Sequence, residues 1–375
     1  DSLKKHKEIT NLELKNSYYS FFPNISLNAS SNILDNFKFS NLHNQSALSL
    51  SIKQSILHNS INIPNYKTAV LQDSKALLDI EIELNEICFK ITKVFYDYCA
   101  TMEKFSILQE KIKLLANKLD STKKKYQQGL ISQRDLLRFE SLIQQAKIQI
   151  IKLENSALEK KSELEQILTN KDDNFVLLTS NNLTYDIPNK EPDINSSALF
   201  KKLSLENNIT KLNIKQAHRK LWPQIWFNAD ISSGFNFTKS SDHNFKLGIN
   251  LSYDIFSFGK NTRDIQIASI KDLIQHNDYT IRLNQENIKA KQNMFRLKTY
   301  QNSITLNKKL LILEEANFLR IKNEYLVGKA QYLDLISALD SLNNVRIALS
   351  EEIFALNNEL LTYHYYEGKL YEWLF

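Results

Sequence analysis

Apolar and polar residues alternate in four short stretches of the chain. Ile25, Leu27 and Ala29 alternate with Asn24, Ser26 and Asn28. Leu48, Leu50 and Ile52 alternate with Ser49, Ser51 and Lys53. Phe227, Ala229 and Ile231 alternate with Asn228, Asp230 and Ser232. The longest stretch sets Phe245, Leu247, Ile249, Leu251, Tyr253 and Ile255 against Lys246, Gly248, Asn250, Ser252 and Asp254. A period of two predicts strands with one apolar and one polar face.

Elsewhere the apolar spacing lengthens to three and four. Leu136, Phe139, Ile143, Ala146, Ile150, Leu153 and Ala157 mark one stripe, and Leu335, Ala338, Leu342, Val345 and Leu349 another. Such stripes predict coiled-coil helices whose seams are covered by neighbouring helices. Between about 66 and 126, and between about 262 and 326, there is neither Gly nor Pro. Each segment predicts a helix of roughly 90 Å at 1.5 Å per residue. Shorter helical stretches at about 3–21 and 197–221 precede the strand pairs.

The two halves repeat. Tyr126-Gln127-Gln128-Gly129 matches Tyr325-Leu326-Val327-Gly328, and Asp135-Leu136-Leu137 matches Asp334-Leu335-Ile336, all 199 residues on. Leu48–Ile52 matches Leu247–Leu251 at the same offset, and Phe22-Pro23-Asn24-Ile25 matches Trp222-Pro223-Gln224-Ile225 at 200. Three landmarks in one order predict an internal duplication. We divide the chain into a first repeat over 1–168, a polar connector over 169–196 holding Pro188 and Pro192, a second repeat over 197–362, and a C-terminal segment over 363–375.

Composition sharpens this picture. Six Gly and five Pro in 375 residues are several times fewer than average, so turns are few and elements long. The charge of +6 comes from Lys interleaved with acidic residues, and no nucleic-acid recognition motif accompanies it. Cys88 and Cys99 lie about 16 Å apart along one predicted helix, too far to bridge, and are expected to be buried structural thiols. The seven His are scattered, and no metal-ligand cluster, phosphate loop or nucleophile motif appears. The chain is therefore expected to hold no cofactor or metal and to be no enzyme.

Four strands cannot close a membrane barrel, which starts at about eight, and an open edge is not tolerated in lipid. No apolar run approaches the ~18–20 residues of a spanning helix. If the strands cross a membrane, other copies of the chain must complete the barrel. Phe22, Trp222, Trp226, Tyr253 and Phe256 flank the strands and suit an interfacial girdle. A periplasmic or cytoplasmic coiled-coil scaffold would explain the helices but leave the strands without a role.

The repeat, the strand pairs, the Tyr-x-x-Gly turns and the run Leu247–Phe256 into Gly259-Lys260-Asn261-Thr262-Arg263 together resemble the TolC-type outer-membrane efflux family. The resemblance implies a homotrimer with a twelve-stranded β-barrel above an α-barrel tunnel of long antiparallel helices. It implies an outer-membrane location in a Gram-negative bacterium, helices in the periplasm, and a passive exit duct for a tripartite efflux pump or type I secretion system. The partners it implies are a periplasmic membrane-fusion adaptor, an inner-membrane transporter and outer-membrane lipid. On this resemblance Gln128, Gly129, Leu130, Val327, Gly328 and Lys329 form adaptor-docking tips, and Asp135, Tyr325 and Asp334 belong to the gate, with Tyr325 bonding Asp135. Departures stand beside it. Ser337 and Ala330 replace an acidic residue and an Arg of the family's gate, and Asn62-Ile63-Pro64-Asn65, expected as the turn after the second strand, lacks the usual Gly. Gln331 stands where the first copy has Ser132, so the return helix after Gly328 is expected to be less well capped.

Overall fold

The computed structural model describes residues 2–31, 44–58, 61–129, 132–168, 187–236 and 243–374. In order these form α1 (Ser2–Tyr19), β1 (Asn24–Ser31), β2 (Asn44–His58), α2 (Asn62–Gln127), α3 (Gln133–Leu168), α4 (Ala198–Arg219), β3 (Gln224–Asn236), β4 (His243–Ser252), α5 (Lys260–Leu326), α6 (Tyr332–Glu367) and α7 (Leu370–Leu374). They group into two compact units, one of residues 1–82 with 198–284 and the other of 83–197 with 285–375.

The first unit holds the sheet and the short helices. α1 and α4 end in the same way. Ser20 and Lys220 close the last α-helical bonds, and the amides of Phe21, Phe22, Leu221 and Trp222 turn back three residues instead of four. Pro23 and Pro223 follow, and a proline, with no N–H and a ring that crowds the preceding residue, holds the chain extended. The strands then pair antiparallel in the order β1-β2-β3-β4. α2 opens earlier than expected. Asn62-Ile63-Pro64-Asn65 is its first turn and not a separate loop, because Pro costs nothing where the helix amides have no partner anyway. β4 ends at Ser252, three residues short of the alternation that runs to Ile255. Ser252 faces Gln224, the first residue of β3, so no partner strand remains for Tyr253 onward.

The second unit is helical. Leu115 of α2, Phe139 and Ile143 of α3, and Ile336 and Leu339 of α6 share one cluster. Met294 and Leu297 of α5 meet Leu360 and Tyr363 of α6. Tyr96, Leu361 and Leu370 bring α2, α6 and α7 together. Each fully buried side chain of this size contributes roughly 1.5–3 kcal/mol. Most of the predicted stripe is buried, including Phe139, Ile143, Ala146, Ala157, Leu335, Ala338 and Leu342. α6 runs to Glu367, past the expected repeat boundary at 362, and stops at Gly368, whose φ of 70° is the left-handed cap that glycine takes without strain. Of the connector, 169–186 lies outside the described residues, and 187–196 ends in a single 3-10 turn, Ile194–Ser196, capped by Asp193. Cys99 is buried as expected, but Cys88 is only half-buried at the edge of the Tyr96 cluster, and both are free thiols. No described helix is long and apolar enough to cross a membrane.

Candidate functional site: sheet faces and hairpin tips

The register of the sheet sorts its side chains into two faces. Phe227 lies opposite Ile249, Ala229 opposite Leu247, and Ile231 opposite both Leu50 and Phe245. Ile25 and Leu27 continue this face on β1 through Ile52 and Leu50. The other face carries Asn24, Ser26, Asn28, Ser49, Ser51, Lys53, Asn228, Asp230, Lys246 and Asn250. The apolar face is uncovered: Leu27 is 67% exposed, Phe245 64% and Ile249 72%. The polar face is open as well, with Asn24, Ser26, Lys53 and Lys246 exposed. A contiguous apolar surface of this kind marks a membrane or partner contact. β1 and β4 are the outer strands, so each has one unpaired edge among the described strands.

Four of the five expected girdle aromatics, Phe22, Trp222, Tyr253 and Phe256, are exposed next to the strand ends. Phe256 stacks edge-on against Phe258 at 4.7 Å. Phe258 itself takes a left-handed φ of 48° ahead of Gly259 at 72°, which turns the chain into α5. Trp226 departs from the expectation. It stands opposite Ser55 and Asn250 on the polar face, with Lys53 Nζ 4.6 Å over its ring. Its position has the parity of Asn228 and Asp230, not that of Phe227.

The tips lie in the second unit. Gly129 and Gly328 take φ of 72° and 77° and bond back to the carbonyls of Tyr126 and Tyr325. A Cβ on either would meet nothing within 4 Å, so the requirement for glycine comes from the backbone alone. Gln128 bonds to the Lys124 carbonyl, and Lys329 and Ala330 share the Glu324 carbonyl. Val327 projects its side chain into solvent. Leu130 lies outside the described residues. Asp135 sits in the first turn of α3, but its side chain is outside the description, so its pairing with Tyr325 is untouched by the geometry.

Tyr325 packs edge-on against Tyr332 at 6.0 Å, and Tyr332 against Phe139 at 5.1 Å. The Tyr332 hydroxyl is buried without a hydrogen-bond partner, and its pKa lies far above the usual tyrosine range, chiefly through burial and then through Tyr325 and Asp340. Asp334 is exposed and accepts the Gln331 amide at 2.9 Å, which gives the start of α6 the carboxylate half of a capping box. That bond offsets the missing Ser. No group of three or more His, Cys, Asp or Glu among the described residues could hold a metal ion.

No family profile and no curated protein sequence matches the chain. Solved structures do. The outer membrane protein VceC of Vibrio cholerae superposes with a TM-score of 0.86 at 14% identity, over 98% of this chain and 92% of VceC. The CmeC outer membrane channel of Campylobacter jejuni gives 0.83 at 14%, over 98% and 82%. The open state of the Neisseria gonorrhoeae MtrE outer membrane channel gives 0.82 at 14%, over 98% and 85%. The chain therefore has the fold of these outer-membrane channel proteins.

Proposed function

We propose that this chain is one protomer of an outer-membrane channel-tunnel, a passive exit duct that catalyses nothing. The observation that carries the reading is the sheet: its apolar face is uncovered while its polar face holds Lys53, Asp230 and Lys246. A water-soluble fold would bury the apolar face, whereas a barrel turns it to lipid and lines its lumen with the polar one. The coiled-coil scaffold gives that surface no partner. The fold likeness to outer-membrane channels supports the same reading.

Closure follows from the duplication. Inside the chain the two repeats join through β2 and β3, with Ile52 opposite Ala229. β4 is the later copy of β2, and β1 the earlier copy of β3. Pairing β4 of one chain with β1 of the next therefore repeats a contact the sequence already makes. Carried through the 199- and 200-residue offsets, that register sets Leu251 opposite Ala29 of the neighbouring chain, both on the apolar face. Three chains close twelve strands, the number the family resemblance implies. In this reading the Gly129 and Gly328 tips receive a periplasmic adaptor. An inner-membrane transporter supplies energy and selects cargo, and Tyr325, Asp135 and Asp334 act at the gate.

The test uses the double variant Ala29→Cys/Leu251→Cys in a background lacking the two native thiols. Mild oxidation in outer-membrane fractions is expected to give a covalent ladder that stops at three chains, and the purified species to conduct in planar bilayers. A soluble species without conductance, or oxidation that yields no intermolecular product, overturns the proposal.

A further inference from the structure

The helical unit carries its charge unevenly. Between Lys118 and Glu140, the end of the α2–α3 hairpin, six Lys and Arg stand against three acidic residues. Between Asn317 and Leu339, the same span one repeat on, three stand against two. The surplus of these two hairpin ends accounts for most of the formal charge of +6. Their acids are largely engaged. Glu140 lies 3.5 Å from Lys123, Glu324 2.9 Å from Arg320, and Asp334 accepts the Gln331 amide. Lys124, Arg134, Arg138, Lys322 and Lys329 are exposed, and their side chains have no ion pair or hydrogen bond among the described residues. Of the described acidic side chains in these spans, Asp120 alone is equally free. The hairpin ends therefore project a positive field that they do not discharge themselves.

The second observation is steric. Where the hairpins pack, α2, α3, α5 and α6 surround a recess of about 80 Å³. Leu114, Phe139, Phe318 and Tyr332 are among its walls, and Lys118 and Lys322 also line it. Each Lys stands four residues beyond an apolar wall residue, Leu114 or Phe318, one turn nearer the tip. Such a recess takes one apolar side chain of a packed helix, as the holes of a coiled coil take knobs. A helix with an apolar residue and a carboxylate one turn apart matches both the wall and the cation. A flat bilayer surface presents anionic charge but no side chain for the recess.

We propose that the hairpin ends dock an acidic helical partner. One apolar side chain fills the recess, a carboxylate meets Lys322 beside it, and others meet Lys124, Arg134 and Arg138 around the α2–α3 end. The inference rests on the duct reading, in which the tips receive an adaptor, and it adds the sign of the partner's charge and the residues that sense it. The larger surplus at the α2–α3 end makes that end the stronger electrostatic contact.

The probe is a disulfide-closed helical hairpin peptide with Leu and Glu one turn apart on its exposed faces. Two counterparts carry Gln or Lys in place of Glu. Each is titrated by calorimetry into the purified full-length assembly in phosphatidylcholine nanodiscs, and conductance is recorded in planar bilayers from the same stock. The Glu peptide is expected to bind about tenfold more tightly than the Gln peptide at low salt, less so as salt screens the charges, and the Lys peptide most weakly. The triple variant Lys124→Gln/Arg134→Gln/Arg138→Gln is expected to lose most of that preference, and Lys322→Gln a smaller part. Lys308→Gln/Lys309→Gln, which removes exposed cations further up α5, should keep it. Lys322→Glu should bind the Lys peptide better than the wild type does. Circular dichroism and assembly mass check that each variant folds. A conducting assembly that binds the three peptides alike, or binds none, overturns this inference and leaves the duct standing, as does a preference that survives in the folded triple variant. An assembly that does not conduct removes the duct reading on which the inference rests. Binding to phosphatidylglycerol vesicles that the triple variant loses, with no peptide bound, would assign the cations to a lipid surface instead.

Discussion

Thr210 donates its hydroxyl to the carboxylate of Asp272 at 2.5 Å, and the Thr10 hydroxyl, shared with the Lys7 carbonyl at 2.9 Å, makes the corresponding longer contact to Asp73 at 3.3 Å. The pairs lie 200 and 199 residues apart, so the duplication preserves a tertiary contact between short and long helix, not only a pattern. The copies differ in redundancy. Asp73 is also held by Lys7, whereas no cation pairs with Asp272 among the described residues. Thr210→Val should therefore cost more than Thr10→Val. A hydrogen bond to a charged group is worth about 1.5–3 kcal/mol when buried, and partial exposure brings the expected loss nearer ~1 kcal/mol. Thermal unfolding midpoints of the two variants, measured side by side, check the order. A larger loss for Thr10→Val would contradict it.

Trp226 gives the sharpest test of which sheet face meets water. In a barrel its parity directs it to the lumen with Lys53, and Ile249 to lipid. A cysteine at 226 should react readily with a charged, membrane-impermeant thiol reagent, and one at 249 should not. The native thiols complicate this little: Cys88 is replaced by Ser, and the Cys99 thiol is pushed up to about 11 by burial, so almost none is thiolate near neutrality. The measurement is the labelling rate of each variant in intact outer membranes. Faster labelling at 249 than at 226 would reverse the assigned faces.

Much of this architecture was legible in the sequence, for identifiable reasons. Long Gly- and Pro-free spans fixed α2 and α5 to within about four residues, and the 199-residue offset located both tips. Three features were not. Trp226 falls with the other aromatics by residue type, although its parity with Asn228 and Asp230 separates it from Phe227. The alternation through Ile255 could not show that pairing stops at Ser252, because a strand ends where its partner does, and β3 begins only after Pro223. Thr10 and Thr210 carry no periodic signal, each being one hydroxyl that follows an Ile on a largely polar short helix.

The helical unit should weaken in alkali. Burial first, and then Glu86 and Glu286, push the Tyr365 hydroxyl up to about 12, and burial with Glu367 does the same for Tyr363. Cys99 sits at about 11. All three pKa values are raised above their unfolded values of 9.0 for Cys and 10.0 for Tyr. The folded state thus holds protons that the unfolded state has released. Stability is complete below about pH 9 and declines as pH rises from there through about 12. Tyr365→Phe removes one titrating group and should flatten the decline between about pH 10 and 12. Unfolding midpoints followed from pH 8 to 11.5 provide the check, and parallel curves for wild type and variant would count against it.

Asp334 joins two roles that substitutions can separate. Its carboxylate caps α6 through the Gln331 amide, and in the proposed trimer three copies would ring the periplasmic entrance. Asp334→Ala removes both cap and charge. Asp334→Asn removes the charge but keeps an oxygen able to accept the Gln331 amide. If the ring attracts cations, block of single-channel current by multivalent cations should be relieved in both variants, because repelling or attracting an ion depends on charge. Stability should part them: the Ala variant is expected to lose about 1 kcal/mol, typical of a lost helix cap, and the Asn variant much less. Block that persists in both, together with the stability difference, would make Asp334 a helix cap and nothing more. Block relieved in Ala but kept in Asn would assign the effect to a disturbed tip, because only the Ala variant loses the bond that orders the start of α6.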